Sequence, residues 1–266
     1  MLTGLLSSAA ALSPGLRAAQ AGLAAALGLA VGSFLSVCIH RLPRGESVIS
    51  PPSHCPGCGH RLGPAELVPL LSYLLQRGRC RHCGAGISWM YPAVEALTAA
   101  LFFGLVWVGG GWVPALPGLA ASALAVAAAG TDLRSRLIPN RLVLAGLALA
   151  VPVLGAARPP AAWPWHLAGL GAAGGVLALA ALLSRGGMGA GDVKLGGVLG
   201  LYLGWPMALV ALFWGFLAGA LVGVVLLALR LKGRRDVIPF APFLAVGTAA
   251  ALFFGARFVG FVWPWG

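Results

Sequence analysis

Acidic residues are scarce in this chain of 266 residues, which has six carboxylate side chains against 18 lysines and arginines. Charged residues of both signs make up only 9% of the chain and apolar residues 59%, whereas roughly a quarter of a soluble domain is charged. This composition indicates a polytopic membrane protein. Because carboxylates are so few, each one can be considered as a functional candidate: Glu46, Glu66, Glu95, Asp132, Asp192 and Asp236.

The chain also lacks a basic patch on an exposed domain, although its formal net charge is +12. Its lysines and arginines lie in short loops between apolar runs, a distribution that predicts a lipid bilayer as the surroundings and no nucleic-acid partner. The first thirty residues hold a single arginine, Arg17, and show no small-residue cleavage pattern. We therefore expect a retained first span from Leu16 onward rather than a cleaved signal peptide.

Long apolar runs are abundant, and eight of them approach the roughly 20 residues that cross a bilayer. We expect an all-α polytopic membrane protein of about eight transmembrane helices, with a first segment in residues 1–40, a small module in 41–90 and a transmembrane domain in 91–266. The eight predicted spans cover about residues 18–40, 91–109, 114–131, 138–156, 164–184, 191–204, 206–229 and 239–262.

The positions of the basic residues predict the orientation. The loop at 41–90 carries six arginines and is therefore expected in the cytoplasm, which places both termini outside. Most other basic residues fall at the same predicted ends: Arg134, Arg136, Arg141, Arg185, Lys194, Arg230, Lys232, Arg234 and Arg235. Tryptophans, which favour membrane interfaces, cluster at the opposite ends: Trp112, Trp163, Trp165, Trp205, Trp263 and Trp265.

Four of the five cysteines form two close pairs, Cys55-Pro-Gly-Cys58 and Cys80-Arg-His-Cys83. Such pairs indicate either two disulfides or a metal site, and the reducing cytoplasm favours metal. Two Cys-x-x-Cys turns, each followed by a glycine, can present four thiolates to one structural zinc ion. An iron site or a redox pair is the alternative.

The remaining side chains near these pairs have simpler interpretations. His54, His60 and His82 are expected to be exposed loop residues, with replacement of one cysteine as a ligand the alternative. Cys38 lies inside an apolar run and is expected to be a small buried hydrophobe.

Asp132 and Asp192 lie at the inner ends of different predicted helices, and hence at the same membrane depth. Each has a structural alternative: Asp132 could pair with Arg134 or Arg136 at the surface, and Asp192 could be a helix N-cap. Two facing carboxylates cannot both ionise readily, so they share a proton. One can then activate water while the other protonates a carbonyl oxygen, as in aspartic proteases.

Glycines surround Asp192 in the segment that runs from Gly186 to Lys194. Gly189 and Gly191, with Gly186 and Gly187, either allow a substrate backbone to approach the carboxylate or form a flexible turn. Glu95 near the start of the second span either contacts a cationic substrate or methyl-transfer site or forms a buried ion pair with a loop arginine. Asp236 is interpreted as a helix-start residue.

The chain resembles the type IV prepilin peptidases, which share a catalytic motif with the Gly-x-Gly-Asp aspartic proteases. One departure is Ala241, where a second glycine-like position is usual, and no glycine-rich nucleotide-binding fingerprint is visible. The segments that carry the resemblance span nearly the whole chain: His40–Arg44, the two cysteine pairs, Tyr91-Pro92-x-x-Glu95, Asp132 before Ile138-Pro139, Gly189–Leu195 and Pro239–Phe243.

The resemblance implies cleavage of the basic leader of prepilins and pseudopilins after a glycine, at the cytoplasmic face of the bacterial inner membrane, with Asp132 and Asp192 as the protease acids. It also implies N-methylation of the new amino terminus by S-adenosylmethionine. Glu46, Glu66 and Glu95 are candidates for substrate binding or methyl transfer, and Gly189, Gly191 and Lys194 for the active-site loop. The alternatives are a peptidase without methyltransferase activity and a non-enzymatic, zinc-stabilised scaffold or transporter subunit.

Overall fold

The computed structural model describes residues 13–184, 187–233, 236 and 238–262. Predictions made for Arg185, Gly186, Arg234, Arg235, Trp263 and Trp265 therefore lie outside the described residues. Within the described residues there are nine α-helices, and short 3-10 turns cover Leu42–Arg44, Pro64–Glu66 and Pro160–Ala162. The helices are α1 (Pro14–Arg41), α2 (Leu71–Leu75), α3 (Met90–Gly109), α4 (Trp112–Ser135), α5 (Asn140–Ala157), α6 (Trp163–Leu183), α7 (Ala190–Leu203), α8 (Met207–Ala228) and α9 (Ala241–Val262).

Each of the eight predicted apolar segments is a helix, so the all-α membrane fold class is confirmed. Seven of these helices are long and apolar enough to cross a membrane. The exception is α7, which has 14 residues. Its central residues from Leu195 to Tyr202 are all buried among other helices. Because these residues contact protein and not lipid, the helix does not have to match the thickness of the bilayer.

Helices α1 and α3 form a close pair, because two glycines on α1 allow the backbones to touch. A Cβ on Gly28 would lie 2.7 Å from the Cα of Ala99, and one on Gly32 would lie 2.7 Å from the Cα of Glu95. Small residues four positions apart permit this approach in membranes, where apolar burial alone does not drive helix association. The contact fixes Glu95 relative to α1.

Helices α6 and α7 use the same device. The space that a Cβ on Gly169 would need is filled by the carbonyl oxygen of Gly200, and the reverse also holds. At one end of the pair the N–H of Trp205 donates to the carbonyl of Trp165 at 2.8 Å. These contacts set α7 antiparallel to α6 and carry its first turn, with Asp192, to the opposite end of the bundle.

The most buried span is α4, which contacts α1, α3, α5, α7 and α9. Its second half is rich in alanine, and small side chains let five helices surround it. Near its end, Ile39 of α1 fills the space beside Gly130 that a side chain would otherwise occupy. Asp132 therefore emerges where several helix ends meet, on the side of the bundle that also carries the cysteine segment between α1 and α3.

Candidate active site and metal centre

Asp132 lies in the last turn of α4 and is 7% exposed. Its Oδ2 accepts a hydrogen bond from the backbone N–H of Ala241 at 3.0 Å. Ala241 is the first residue of α9, and the first N–H groups of a helix have no partner within that helix. Asp132 therefore caps α9 across 109 positions of sequence, and among the described residues it forms no ion pair with Arg134 or Arg136.

Asp192 lies in the first turn of α7, but the N-cap of that helix is Gly189. The N-cap interpretation of Asp192 is therefore wrong in position, because the helix already begins at Ala190. The Asp192 Oδ2 instead accepts the Gly189 N–H at 3.3 Å. Its Oδ1 is buried and has no hydrogen-bond partner among the described residues.

The two aspartates lie at the same end of the bundle, because Asp132 is in the last turn of α4, Asp192 is in the first turn of α7, and the two helices pack against each other. Two further contacts fix the start of α7 against the segment that follows α4. Lys194 Nζ donates to Asn140 Oδ1 at 3.0 Å, and a Cβ on Gly191 would lie 3.1 Å from the Cβ of Ile138. Sequence reasoning had not identified Asn140, an ordinary helix-start residue whose pairing with Lys194 has no local signal.

The glycines of the Asp192 loop have different surroundings. Ile138 packs against the side-chain position of Gly191, so packing rather than open space restricts that residue. A Cβ on Gly189 would instead lie 3.4 Å from Oδ2 of Asp192. Of these two, Gly189 is the one that faces the carboxylate.

The sixth acid takes no part in this arrangement. Asp236 Oδ2 accepts the N–H of Gly233 at 2.7 Å and so closes a turn before α9. The helix itself begins five positions later, at Ala241, so the predicted helix-start role of Asp236 is wrong.

The two cysteine pairs form matching turns. The backbone carbonyl oxygens of Cys55 and Cys80 each accept a hydrogen bond from the N–H of the glycine four positions later, Gly59 or Gly84, at 2.9 Å. Both glycines have positive φ, 70° and 73°, which a residue with a side chain adopts only at a cost. Each turn is also closed by an isolated β-bridge, between His54 and Arg61 or between Arg79 and Gly86.

The four sulfur atoms fit a tetrahedral metal site. They lie within 4.8 Å of one another, and those of Cys55 and Cys83 are 3.7 Å apart. Four thiolates about 2.3 Å from a zinc ion would be separated by roughly 3.8 Å. The cluster can therefore hold a metal ion.

A cavity of about 520 Å³ lies between the cysteine segment and the ends of α1, α3 and α4. This volume is in the range of small-molecule sites, roughly 300–1,000 Å³. Glu46, Glu66 and Glu95 all line it, with Tyr91 and Arg134. The structure thus brings together three glutamates that are far apart in sequence. Arg134, which lines the same cavity, lies two residues after Asp132 on α4.

Two of these glutamates also hold the cavity wall in place. Oε2 of Glu95 accepts the N–H of Leu70 at 2.8 Å, which ties α3 to the cysteine segment. Among the described residues Glu95 forms no ion pair with a loop arginine, so that alternative is wrong. Oε2 of Glu66 accepts the N–H of Gly63 at 2.9 Å.

Comparison with known proteins gives two family matches. Residues 26–108 match the bacterial peptidase A24 N-terminal domain, and residues 119–224 match the type IV leader peptidase family. The first match ends near the end of α3 and the second begins within α4.

Three curated relatives are similar over most of the chain, and each is named prepilin leader peptidase/N-methyltransferase. The Bacillus subtilis protein is 40% identical over 88% of this chain and 94% of its own length. The protein of Burkholderia pseudomallei strain 1026b is 35% identical over 96% and 91%, and that of Pseudomonas aeruginosa is 34% identical over 86% and 88%. No solved structure gives a significant match.

Proposed function

Because the chain belongs to the type IV leader peptidase family, we propose that it cleaves the leader peptide of type IV prepilins and pseudopilins and methylates the amino terminus that cleavage exposes. The observation that carries the proposal is the pair Asp132 and Asp192, held by α4 and α7 at one end of the bundle. A scaffold or transporter subunit would not require two acids at the ends of two helices that pack against each other.

The geometry favours different roles for the two acids. The N–H of Ala241, at the positive end of the α9 dipole, favours negative charge on Asp132. Asp192 has a buried oxygen without a partner, which suits a protonated carboxyl that donates to a substrate carbonyl. Asp132 is therefore the base and Asp192 the acid in the proposed mechanism.

Cleavage then follows the aspartic-protease sequence. Asp132 removes a proton from water, whose oxygen adds to the scissile carbonyl carbon, while Asp192 gives its proton to the carbonyl oxygen. The tetrahedral intermediate collapses when Asp192 takes the hydroxyl proton back and Asp132 protonates the leaving amine. Both acids recover their starting states, so neither a covalent intermediate nor a catalytic metal is required.

The test uses Asp132→Asn and Asp192→Asn, with Asp236→Asn as the matched control. An asparagine oxygen can still accept the N–H of Ala241 or Gly189, so the fold should persist. We expect each active-site variant to lose at least about 10²–10³-fold in prepilin processing and Asp236→Asn to process normally. Near-normal cleavage by either active-site variant would refute the assignment.

The methyl-transfer half of the proposal rests on the 520 Å³ cavity. S-adenosylmethionine carries a sulfonium, an ammonium and a carboxylate. Glu46 and Glu95 supply negative charge for the first two, and Arg134 supplies positive charge for the third. In the reaction the new amine attacks the sulfonium methyl, the carbon–sulfur bond breaks, and the amine releases a proton. Arg134 lies two residues after Asp132 on α4, so the cavity and the proposed protease acids lie at the same end of that helix.

Assays of S-adenosylmethionine binding and of methylation distinguish the proposed methyltransferase activity from the peptidase activity. We expect Asp132→Asn to bind radiolabelled S-adenosylmethionine normally and to methylate a supplied mature pilin peptide. Glu95→Gln, which keeps an acceptor for Leu70, should weaken binding and methylation while cleavage continues. If wild type cleaves but yields an unmethylated amino terminus by mass spectrometry, the chain is a peptidase alone.

We assign a structural role to zinc in the four-cysteine site, because four thiolates leave no open coordination position. The orientation follows the basic residues: Arg134, Arg141 and Lys194 all lie at the bundle end that carries the two acids. The positive-inside rule puts that end in the cytoplasm, where a basic leader would meet the glutamates of the cavity. Cysteine labelling of α1 and α9 ends in intact cells tests this orientation.

A further inference from the structure

A second group of metal-ligating side chains lies beside the four cysteines. His60, Glu66 and His82 each place a nitrogen or oxygen atom within 4.8 Å of the others. His60 follows the first cysteine turn, His82 lies inside the second, and Glu66 ends the 3-10 turn between them. The fold, and not local sequence, brings the three together.

The surroundings of the Glu66 side chain are the evidence for a bound ligand. Its side chain is only 10% exposed, and its Oε1 is buried without a hydrogen-bond partner among the described residues. A buried carboxylate oxygen without a partner is costly. Because Oε2 already accepts the N–H of Gly63, the free oxygen is the one directed toward the histidines.

The distances suit a shared ion better than a direct bond. Oε1 of Glu66 and Nε2 of His82 are 3.9 Å apart, which is within ion-pair range when His82 is protonated but beyond hydrogen-bond range. Two ligand atoms about 2.1 Å from a tetrahedral ion would be separated by roughly 3.4 Å. A small rotation of the His82 side chain would bring its Nε2 to that distance from Oε1 of Glu66. The ring of His60 lies against that of His82, with centroids 3.5 Å apart, so both can turn toward the same point.

We infer that His60, Glu66 and His82 form a second metal site, which takes a divalent first-row ion such as zinc with water in its open positions. Two imidazoles and one carboxylate are a ligand set of this class. It differs from the thiolate site in having three ligands, of which the histidines are exposed, and so binds more weakly. Since Glu66 also lines the 520 Å³ cavity, the ion would fix part of the cavity wall.

The experiment counts zinc on the full chain in nanodiscs, without a histidine tag, after equilibrium dialysis against buffered zinc. We expect two equivalents for wild type by elemental mass spectrometry, and one after dialysis against a mild chelator. His82→Ala and Glu66→Gln should each bind one equivalent. His54→Ala is the matched control, because His54 lies in the same segment but outside the cluster, and it should bind two.

Each outcome bears on a particular claim. One equivalent in wild type, or two in both cluster variants, would overturn the second site, and zero equivalents would overturn both sites. The single tight equivalent retained by His82→Ala and Glu66→Gln reports that the cysteine turns are intact. Cobalt added to the protein that retains one zinc ion after dialysis against the mild chelator should give weak visible bands without thiolate charge transfer. A thiolate band would mean that cobalt had entered the cysteine site instead.

Discussion

The contact between Gly191 and Ile138 gives a prediction that can be worked from the structure. A Cβ added at Gly191 would lie 3.1 Å from the Cβ of Ile138, whereas ordinary contacts begin at 3.4 Å. In Gly191→Ala the start of α7 must therefore move by a few tenths of an ångström relative to the segment after α4. That movement changes the position of Asp192 relative to Asp132.

The expected effect of Gly191→Ala on stability and on the rate of processing is moderate. Overpacking a close contact costs about 1–3 kcal/mol, and a clash this small belongs at the lower end. A loss of about 1 kcal/mol corresponds to a thermal midpoint lower by about 2–4 °C and, if it falls on the transition state, to roughly fivefold in rate. Gly191→Val adds two more carbons at the same place and should lower processing by more than about 100-fold, because misplacement of a catalytic group by about 1 Å is that costly.

The assay measures kcat/KM for a fluorescent prepilin peptide in nanodiscs, together with the thermal midpoint. Gly189→Ala is the comparison, because its Cβ would make only an ordinary contact and its backbone, at φ −79° and ψ 148°, suits alanine. Because Gly189 is the N-cap of α7, where alanine is less favourable than glycine, any fall in the midpoint of Gly189→Ala should be the same with and without the Ile138 side chain. Any loss of activity in it would then report crowding of the Asp192 carboxylate.

A double-mutant cycle identifies the cause. Ile138→Gly removes the Cβ that Gly191→Ala would meet, so Gly191→Ala should have little further effect in that background. The reasoning is refuted if Gly191→Ala changes neither rate nor midpoint, or if its effect is the same with and without the Ile138 side chain.

Three further predictions concern stability. Asp132→Ala should unfold more easily than Asp132→Asn by about 1–3 kcal/mol, since it leaves the Ala241 N–H buried without an acceptor; equal thermal midpoints for the two would contradict the capping role. Glu95→Ala should loosen the cysteine segment, seen as faster hydrogen exchange at Leu70, whereas Glu95→Gln should not. Removing metal with a strong chelator should make the segment between α1 and α3 susceptible to protease while α4 to α9 stay protected, and an unchanged cleavage pattern would count against a structural metal.

Much of this arrangement follows from the sequence alone. Mean apolarity and length place eight helices within a few residues of their observed bounds, because a bilayer imposes both requirements locally. The two cysteine pairs are equally readable, since each turn is built from four or five adjacent residues. The sequence also predicts that Asp132 and Asp192 lie at the same membrane depth, because successive spans cross the bilayer in alternating directions.

Other features depend on contacts between distant segments. No local pattern predicts that Asp132 caps α9, because that bond joins residues 109 positions apart. The convergence of Glu46, Glu66 and Glu95 on one cavity depends on how the cysteine segment lies against α1 and α3. The bond from the Leu70 N–H to Glu95 helps to hold the segment there. The group of His60, Glu66 and His82 depends instead on how the two cysteine turns and the 3-10 turn between them fold together within the segment.

The glycines around Asp192 show where the two sources of information divide. The sequence determined that glycine surrounds a carboxylate at a helix start, but it left substrate access and turn flexibility as equal explanations. Only the tertiary structure distinguished the two residues, because Ile138 arrives from another segment to fill the space beside Gly191, while Gly189 is left facing the Asp192 oxygen. A side chain's absence is visible in the sequence, and what occupies the space is decided by packing.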